Sequence, residues 1–261
     1  MFLITISIIM FNTFFLEPIY NTVLFFINII PNHDIGIAVI LTTLLVKIIL
    51  LPLNLSSQRS VYLMKEAQIE IDEIKAKHKG DNKKLAEETM SLYKKKKIKP
   101  FSSIFTLIIQ IPVFIALYFV FVDGVVFKEN LIYSFIDFPE NLKHLAFGFM
   151  DLTKKYWFLG VLTGISMYIF SKRQADAFKN IKENKKDKEK ESDFKTIFAK
   201  NMQMQMLYFL PVISGISAAM FPAVIGLYWT VNNILNIFQD VYIKRKLKIE
   251  KFVKDHNKHL N

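Results

Sequence analysis

A single lysine stands where a cation is costly. Lys47 lies inside an apolar run from 35 to 55, nine residues before Ser56, where charged sequence begins. At 1.5 Å per helical residue that is ~13 Å from the polar end, farther than a lysine stem readily snorkels. A charge at that depth in hydrocarbon is expensive and by default indicates a binding or transport site. It requires a carboxylate or water, and no other apolar run contains an internal Asp or Glu. A water-filled cavity is the remaining solution.

Polar residues elsewhere fall in stripes that such a cavity requires. Thr43, Lys47 and Asn54 share one helical face, as do Ser103, Thr106 and Gln110, and as do Trp229, Asn232, Asn233 and Asn236. The plainer reading is that these groups bond neighbouring helices, as polar side chains in membrane bundles often do. For Thr106 or Asn236 alone that reading is preferred; for Lys47 it is not. Enzyme chemistry finds little support. The chain has no Cys, hence no thiol nucleophile, disulfide, Cys-ligated metal or lipid-anchoring Cys. Its five His show no ligand spacing, and there is no Gly-rich phosphate loop or triad pattern. The sequence therefore predicts a non-enzyme, with no metal and no cofactor.

The elements that must position Lys47 follow from hydropathy and charge. The chain has 261 residues, 52% of them apolar, including 25 Phe. Hydrocarbon-length windows give runs near 35–55, 101–122, 156–171, 204–220 and 222–240. The net charge of +11 is sharply partitioned: no Lys or Arg in 1–46, twelve in 56–99, four against five acids in 123–155, ten in 171–203 and seven in 241–261. Basic segments alternate with neutral or acidic ones across each run. That is the positive-inside pattern for an outside N-terminus and a cytoplasmic C-terminus, and solubilising charge on a globular protein would not alternate in this way.

The expected fold is all-α, a polytopic membrane protein of five transmembrane helices with a cytoplasmic helical hairpin and an N-terminal interfacial helix. Residues 1–34 form the outer-face interfacial region, with a sixth span at the N-terminus as the alternative; 1–16 lack a basic start and are too short to span, and beyond Glu17 and Pro18 the residues Asn21 and Asn28 share a face. The first span is 35–55. Residues 56–99 form the hairpin, with apolar residues at helical spacing and Gly80-Asp81-Asn82 as its turn. The second span is 100–122, the outer loop 123–155, and the third span 156–171, short enough to thin the bilayer. Residues 172–203 are a cytoplasmic linker, charged and too poor in apolar area to order from 179 to 193. Residues 204–240 are the fourth and fifth spans, turning tightly at Phe221-Pro222, and 241–261 a basic cytoplasmic tail. Met202, Met204 and Met206 open the fourth span; their thioethers suit either varied apolar helices or ordinary packing.

Three segments carry a family resemblance. Gly36 to Pro52, with Thr43 and Lys47 one turn apart, resembles the first core span of YidC insertases, the bacterial branch of the Oxa superfamily. Lys99-Pro-Phe-Ser-Ser followed by Gln110-Ile-Pro-Val-Phe-Ile-Ala-Leu-Tyr118 resembles their second, and Phe221 to Asn233 their last. The resemblance implies an insertase and chaperone of the bacterial inner membrane, with a groove open to cytoplasm and lipid and closed outside. It implies that substrate helices bind at Lys47, Thr43, Gln110, Tyr228, Trp229 and Asn232. Lys47 departs from the family's usual Arg: ammonium lacks the guanidinium fork and loses its proton more easily when desolvated. The implied partners are nascent membrane proteins, with the Sec translocon and ribosome beside them; the basic tail suits anionic lipid, and DNA is not expected. A solute or ion transporter using Lys47, or a translocon scaffold, are the competing readings; the transporter's usual internal repeats are not seen.

Overall fold

The computed structural model describes residues 9–122, 131–137, 139, 145–182 and 205–258. Nearly all of them are helical, and the exceptions are loops and one pair of two-residue strands. The part of the expected 172–203 linker from 183 onward lies outside the described residues, as do Met204 and residues 1–8.

Helix α1 (Glu17–Ile29) is preceded without a break by a π-helical turn, Asn12–Leu16, although Glu17-Pro18 was expected to separate two segments. Pro18 lacks an N–H for the preceding turn, and the wider π turn before it eases its ring past the preceding carbonyls. The continuous helix Ile9–Ile29, 21 residues long, is long and apolar enough to cross a membrane. Val23, Leu24 and Ile27 are fully buried, whereas Phe25 and Ile29 are exposed. Asn21 and Asn28 hold a neighbouring loop: Asn21 Nδ2 donates to Leu131 O at 2.7 Å, Tyr133 N–H donates to Asn21 Oδ1 at 2.8 Å, and Asn28 Nδ2 donates to Asp137 O at 2.6 Å.

Helix α2 (Ile35–Ile49) starts at Asp34, whose Oδ1 accepts from Ile37 N–H at 3.0 Å and so satisfies one of the orphan donors of the first turn. Its Oδ2 accepts from Phe147 N–H at 2.5 Å, tying the helix to β1 (Leu145–Ala146), which pairs antiparallel with β2 (Met150–Asp151). A side chain at Gly36 would put its Cβ 2.4 Å from Ala146 Cβ. Only glycine allows this approach.

The first apolar run does not continue as one straight helix. Helix α3 (Leu51–Glu66) leaves α2 at 66°. The cause is Pro52 in the second position of α3: it has no N–H for Ile48 O, and its ring excludes a straight continuation. Helices α4 (Gln68–Lys77) and α5 (Asn82–Lys95) follow, separated by Gly80 at φ +91° and by Asp81, which accepts from Lys84 N–H at 3.0 Å. They run antiparallel, as the ion pairs Lys77–Glu88 (3.0 Å) and Lys96–Glu70 require. Between them Ala67, Ile71, Leu92 and Ile98 form a small separate core.

Helix α6 (Ser102–Val122) packs Val113, Ala116, Leu117 and Val120 into the main core with α1 and α2. Helix α7 (Trp157–Lys182) runs past the expected boundary at 171, because nothing in the charged stretch from Lys172 breaks a helix. Helix α8 (Leu210–Met220) meets α7 at backbone distance, an added Cβ at Gly160 lying 2.5 Å from Gly215 O. Helix α9 (Ala223–Lys258) takes in the basic segment expected as a tail. Its first donors are satisfied by the loop before α7, Ala223 N–H to Lys154 O at 2.7 Å and Val224 N–H to Leu152 O at 3.2 Å.

Candidate functional site

Lys47 occupies the last turn of α2, where the helix dipole favours a cation. It is buried, and its Nζ donates to Asn236 Oδ1 of α9 at 2.8 Å. The sequence offered a carboxylate or water as partners for this charge; the structure adds a third, the side-chain amide of Asn236. Asn236 belongs to a ladder on α9, Tyr228, Asn232, Asn236 and Asp240, spaced by four and so stacked on one face.

The other expected residues sort into three groups. Gln110 Nε2 donates to the hydroxyl of buried Tyr228, which joins α6 to α9 at the level above Asn232. Phe114 lies against both aromatic neighbours, its ring 6.3 Å from Tyr228 and 5.6 Å from Trp229. Thr43 is buried one turn before Lys47, but its hydroxyl donates to Val39 O of its own helix at 2.7 Å. Thr106 does the same to Ser102 O at 3.0 Å. Asn233 turns away from Lys47: its Nδ2 donates to Ser166 Oγ of α7 at 3.2 Å. The four-residue stripe expected on the last run is thus two faces, and one of them is helix–helix glue.

Several buried polar atoms on the helices flanking Lys47 and Asn236 find no partner among the described residues: Asn232 Oδ1 on α9, Thr42 Oγ1 on α2, and Asn54 Nδ2 and Gln58 Oε1 on α3. Buried polar atoms without a protein partner are normally satisfied by water. Apolar surface flanks this polar seam, with Ile48 and Ile49 of α2, Ile104, Phe105 and Ile108 of α6, and Ile234 and Phe238 of α9 all exposed.

One turn beyond Asn236 lies a centre that the sequence reading missed. The Asp240 side chain is 0% exposed and accepts from Arg173 Nε at 2.8 Å, from Gln174 Nε2 at 3.2 Å and from the Tyr62 hydroxyl, with Lys244 Nζ 3.2 Å away. Lys65 of α3 donates to Gln174 O at 2.7 Å and to its Oε1 at 3.0 Å. Burial, reinforced by the Asp240 hydrogen bond, raises the Tyr62 phenol far above its ordinary value. Burial first, and then Lys244, lowers the Lys65 ammonium to about 8, with Asp240 opposing. The signal was present in the sequence: Arg173 and Asp240 are opposite charges at the C-terminal ends of the third and fifth apolar runs.

The 60Kd inner membrane protein family profile matches residues 25–251. The membrane protein insertase YidC of Magnetococcus marinus is 32% identical over 237 residues, covering 91% of this chain and 36% of the relative. That of Nitrosococcus oceani is 31% identical over 240 residues, covering 91% and 37%. That of Oceanobacillus iheyensis is 28% identical over 245 residues, covering 92% and 86%. The chain thus spans about a third of the length of the first two relatives and most of the third.

Proposed function

Because this chain belongs to the 60Kd inner membrane protein family, we propose that it is a membrane protein insertase and chaperone, working without a nucleotide through a hydrated groove around Lys47. The observation that carries this reading is a buried ammonium held by Asn236, on a set of helices (α2, α3 and α9) that also carry buried polar atoms with no partner among the described residues. A polar segment crossing hydrocarbon leaves backbone groups unsatisfied at several kcal/mol each. A wet half-channel shortens that dry path. The fixed charge attracts acidic residues of the incoming segment, and its apolar helix then leaves sideways into lipid, driven by hydrophobic partitioning.

In this reading five spans, 35–55, 100–122, 156–171 and the pair within 204–240, surround the groove, and α4 with α5 form the cytoplasmic hairpin. The N-terminus is outside and the C-terminus cytoplasmic. The Asn21 and Asn28 bonds to residues 131–137, within the expected outer loop, favour an outer-face position for α1, whose exposed Phe25 and Ile29 would rest in lipid. The loop carbonyls that receive the first donors of α9, and the β1–β2 contact at Asp34, support closure on the outer side. Substrate helices bind along Gln110, Tyr228, Trp229 and Asn232, with Thr43 and Lys47 behind them. The cytoplasmic partners are nascent chains, with the ribosome and Sec translocon beside them, and the basic end of α9 suits anionic lipid. The transporter reading finds no support among relatives that carry the insertase name.

Photocrosslinking to a ribosome-stalled two-span substrate tests the groove. Crosslinkers at Gln110 and Trp229 are expected to capture the nascent chain, and one at exposed Val161 of α7 is not. Capture at Val161 alone, or only at outer-loop positions, contradicts the assignment.

A further inference from the structure

Resting on that insertase reading, we infer that Tyr62 and Asp240 are positioning residues, a clamp that fixes the angle between α2 and α3 and with it the width of the inner opening to Lys47. Helix α9 holds both arms of the bend. Asn236 takes Lys47 on α2, and one turn later Asp240 takes Tyr62 on α3. Helix α7 backs the second contact through Arg173 and Gln174, and Gln174 also receives Lys65 of α3.

The hinge between the arms is weak. Pro52 contributes no hydrogen bond across Leu50, so the backbone alone does not fix the 66° angle. Apolar burial on α3 is slight, Leu63 and Met64 packing only partly buried against the small core of Ala67, Ile71, Leu92 and Ile98. The buried residues of α3 are Asn54, Ser57, Ser60, Tyr62 and Lys65, and only Tyr62 brings a large ring. That ring lies 5.1 Å from the Lys65 ammonium and 5.3 Å from that of Lys244, which leaves its hydroxyl aimed at Asp240. Of the directional polar contacts that α3 makes, those of Tyr62 and, through Gln174, Lys65 converge on one fully buried carboxylate, whereas Arg59–Glu250 is exposed and Ser60 receives only a backbone N–H at 3.2 Å. From Leu50 to Tyr62 the lever is ~18 Å at 1.5 Å per residue, so releasing a swing of ~20° would move Tyr62 by about 6 Å. A shift of that size opens or shuts a passage of side-chain width.

The absence of cysteine from the chain makes introduced thiols unique labelling sites. Spin labels at Glu66→Cys and Lys246→Cys, both exposed positions on α3 and α9, report the distance between the arms in reconstituted protein. Tyr62→Phe deletes only the hydroxyl and keeps the ring packing. It is expected to broaden that distance distribution by several ångström and to lower insertion several-fold for acidic and neutral substrates alike. Asp240→Asn should act in the same direction, and Asp240→Glu should restore part of both readouts. An unchanged distribution in Tyr62→Phe shows that there is no clamp. A broadened distribution with undiminished insertion shows that the angle does not matter to the reaction. If wild-type vesicles insert neither substrate, the insertase reading falls instead, while the distances still decide whether the clamp exists.

Discussion

Replacing Lys47 separates the electrostatic contribution of the groove from its shape. An acidic residue of an incoming segment that comes within ~8 Å of the ammonium, at an effective dielectric constant of ~20, gains about 2 kcal/mol, or roughly 30-fold in rate or occupancy. Lys47→Leu removes that gain. It also strips Asn236 Oδ1 of its donor at 2.8 Å, a buried loss of about 1–3 kcal/mol in stability, so total activity alone would confuse the two effects. The informative quantity is the ratio of insertion for two substrates that differ only in whether the outer segment carries Asp or Ser. Misfolding of the insertase lowers both yields equally and leaves the ratio unchanged. Lost charge lowers the ratio by about 10- to 30-fold, and Lys47→Arg, which keeps the charge, should return it to within a few-fold of wild type. Because Lys47 is buried, the wild-type ratio should vary little with ionic strength, unlike an effect of the exposed basic surface. Equal losses for the two substrates in Lys47→Leu would refute an electrostatic role and leave only packing.

Two further outcomes follow from the packing and from the Asp240 centre. Gly36→Ala should overpack the contact with β1, where the new Cβ would lie 2.4 Å from Ala146 Cβ; a cost of about 1–3 kcal/mol should lower the melting temperature in detergent by several degrees, and an unchanged value would show that the strand pair yields freely. Lys65, lowered to about 8 from 10.5, binds a proton more weakly in the folded than in the unfolded chain, so stability should rise as pH increases through the window between those values. Guanidinium unfolding across that window should lose part of its slope in Lys65→Met, and an identical slope in the variant would contradict the assignment.

Lys47 was legible because it is the only charge within its apolar run, and hydrocarbon makes a lone charge conspicuous. The helical character of the chain was legible for a similar reason, since long apolar runs have few ways to satisfy their backbone other than helices. The turn at Gly80 and Asp81 was legible because glycine and an N-capping carboxylate each answer a specific backbone need. What escaped was set by partners distant in sequence. Asn236 could be read equally as helix glue or as a groove residue, and only the approach of α2, 189 residues away, decides between them. The bend at Leu50 had a local cause in Pro52, but hydropathy averages over it, because residues 51–55 are nearly as apolar as those before them.

The Asp240 centre shows why charge near a membrane boundary is the hardest signal to read. At the end of an apolar run a carboxylate is cheap if it reaches water and costly if it does not, and position along the chain does not distinguish the two. Here α7 and α9 continue as helices past their apolar runs, to Lys182 and Lys258, so the bundle extends beyond the expected boundary and encloses residues that would otherwise be solvated. Asp240 is then fully buried, and burial demands the cations and donors that Arg173, Lys244, Tyr62 and Gln174 supply. A carboxylate so enclosed cannot let go of one arm without leaving a buried charge short of a donor. That is the physical reason for assigning it the angle of α3, whereas the exposed pair Arg59–Glu250, which also links α3 to α9, can exchange its contacts for water at little cost.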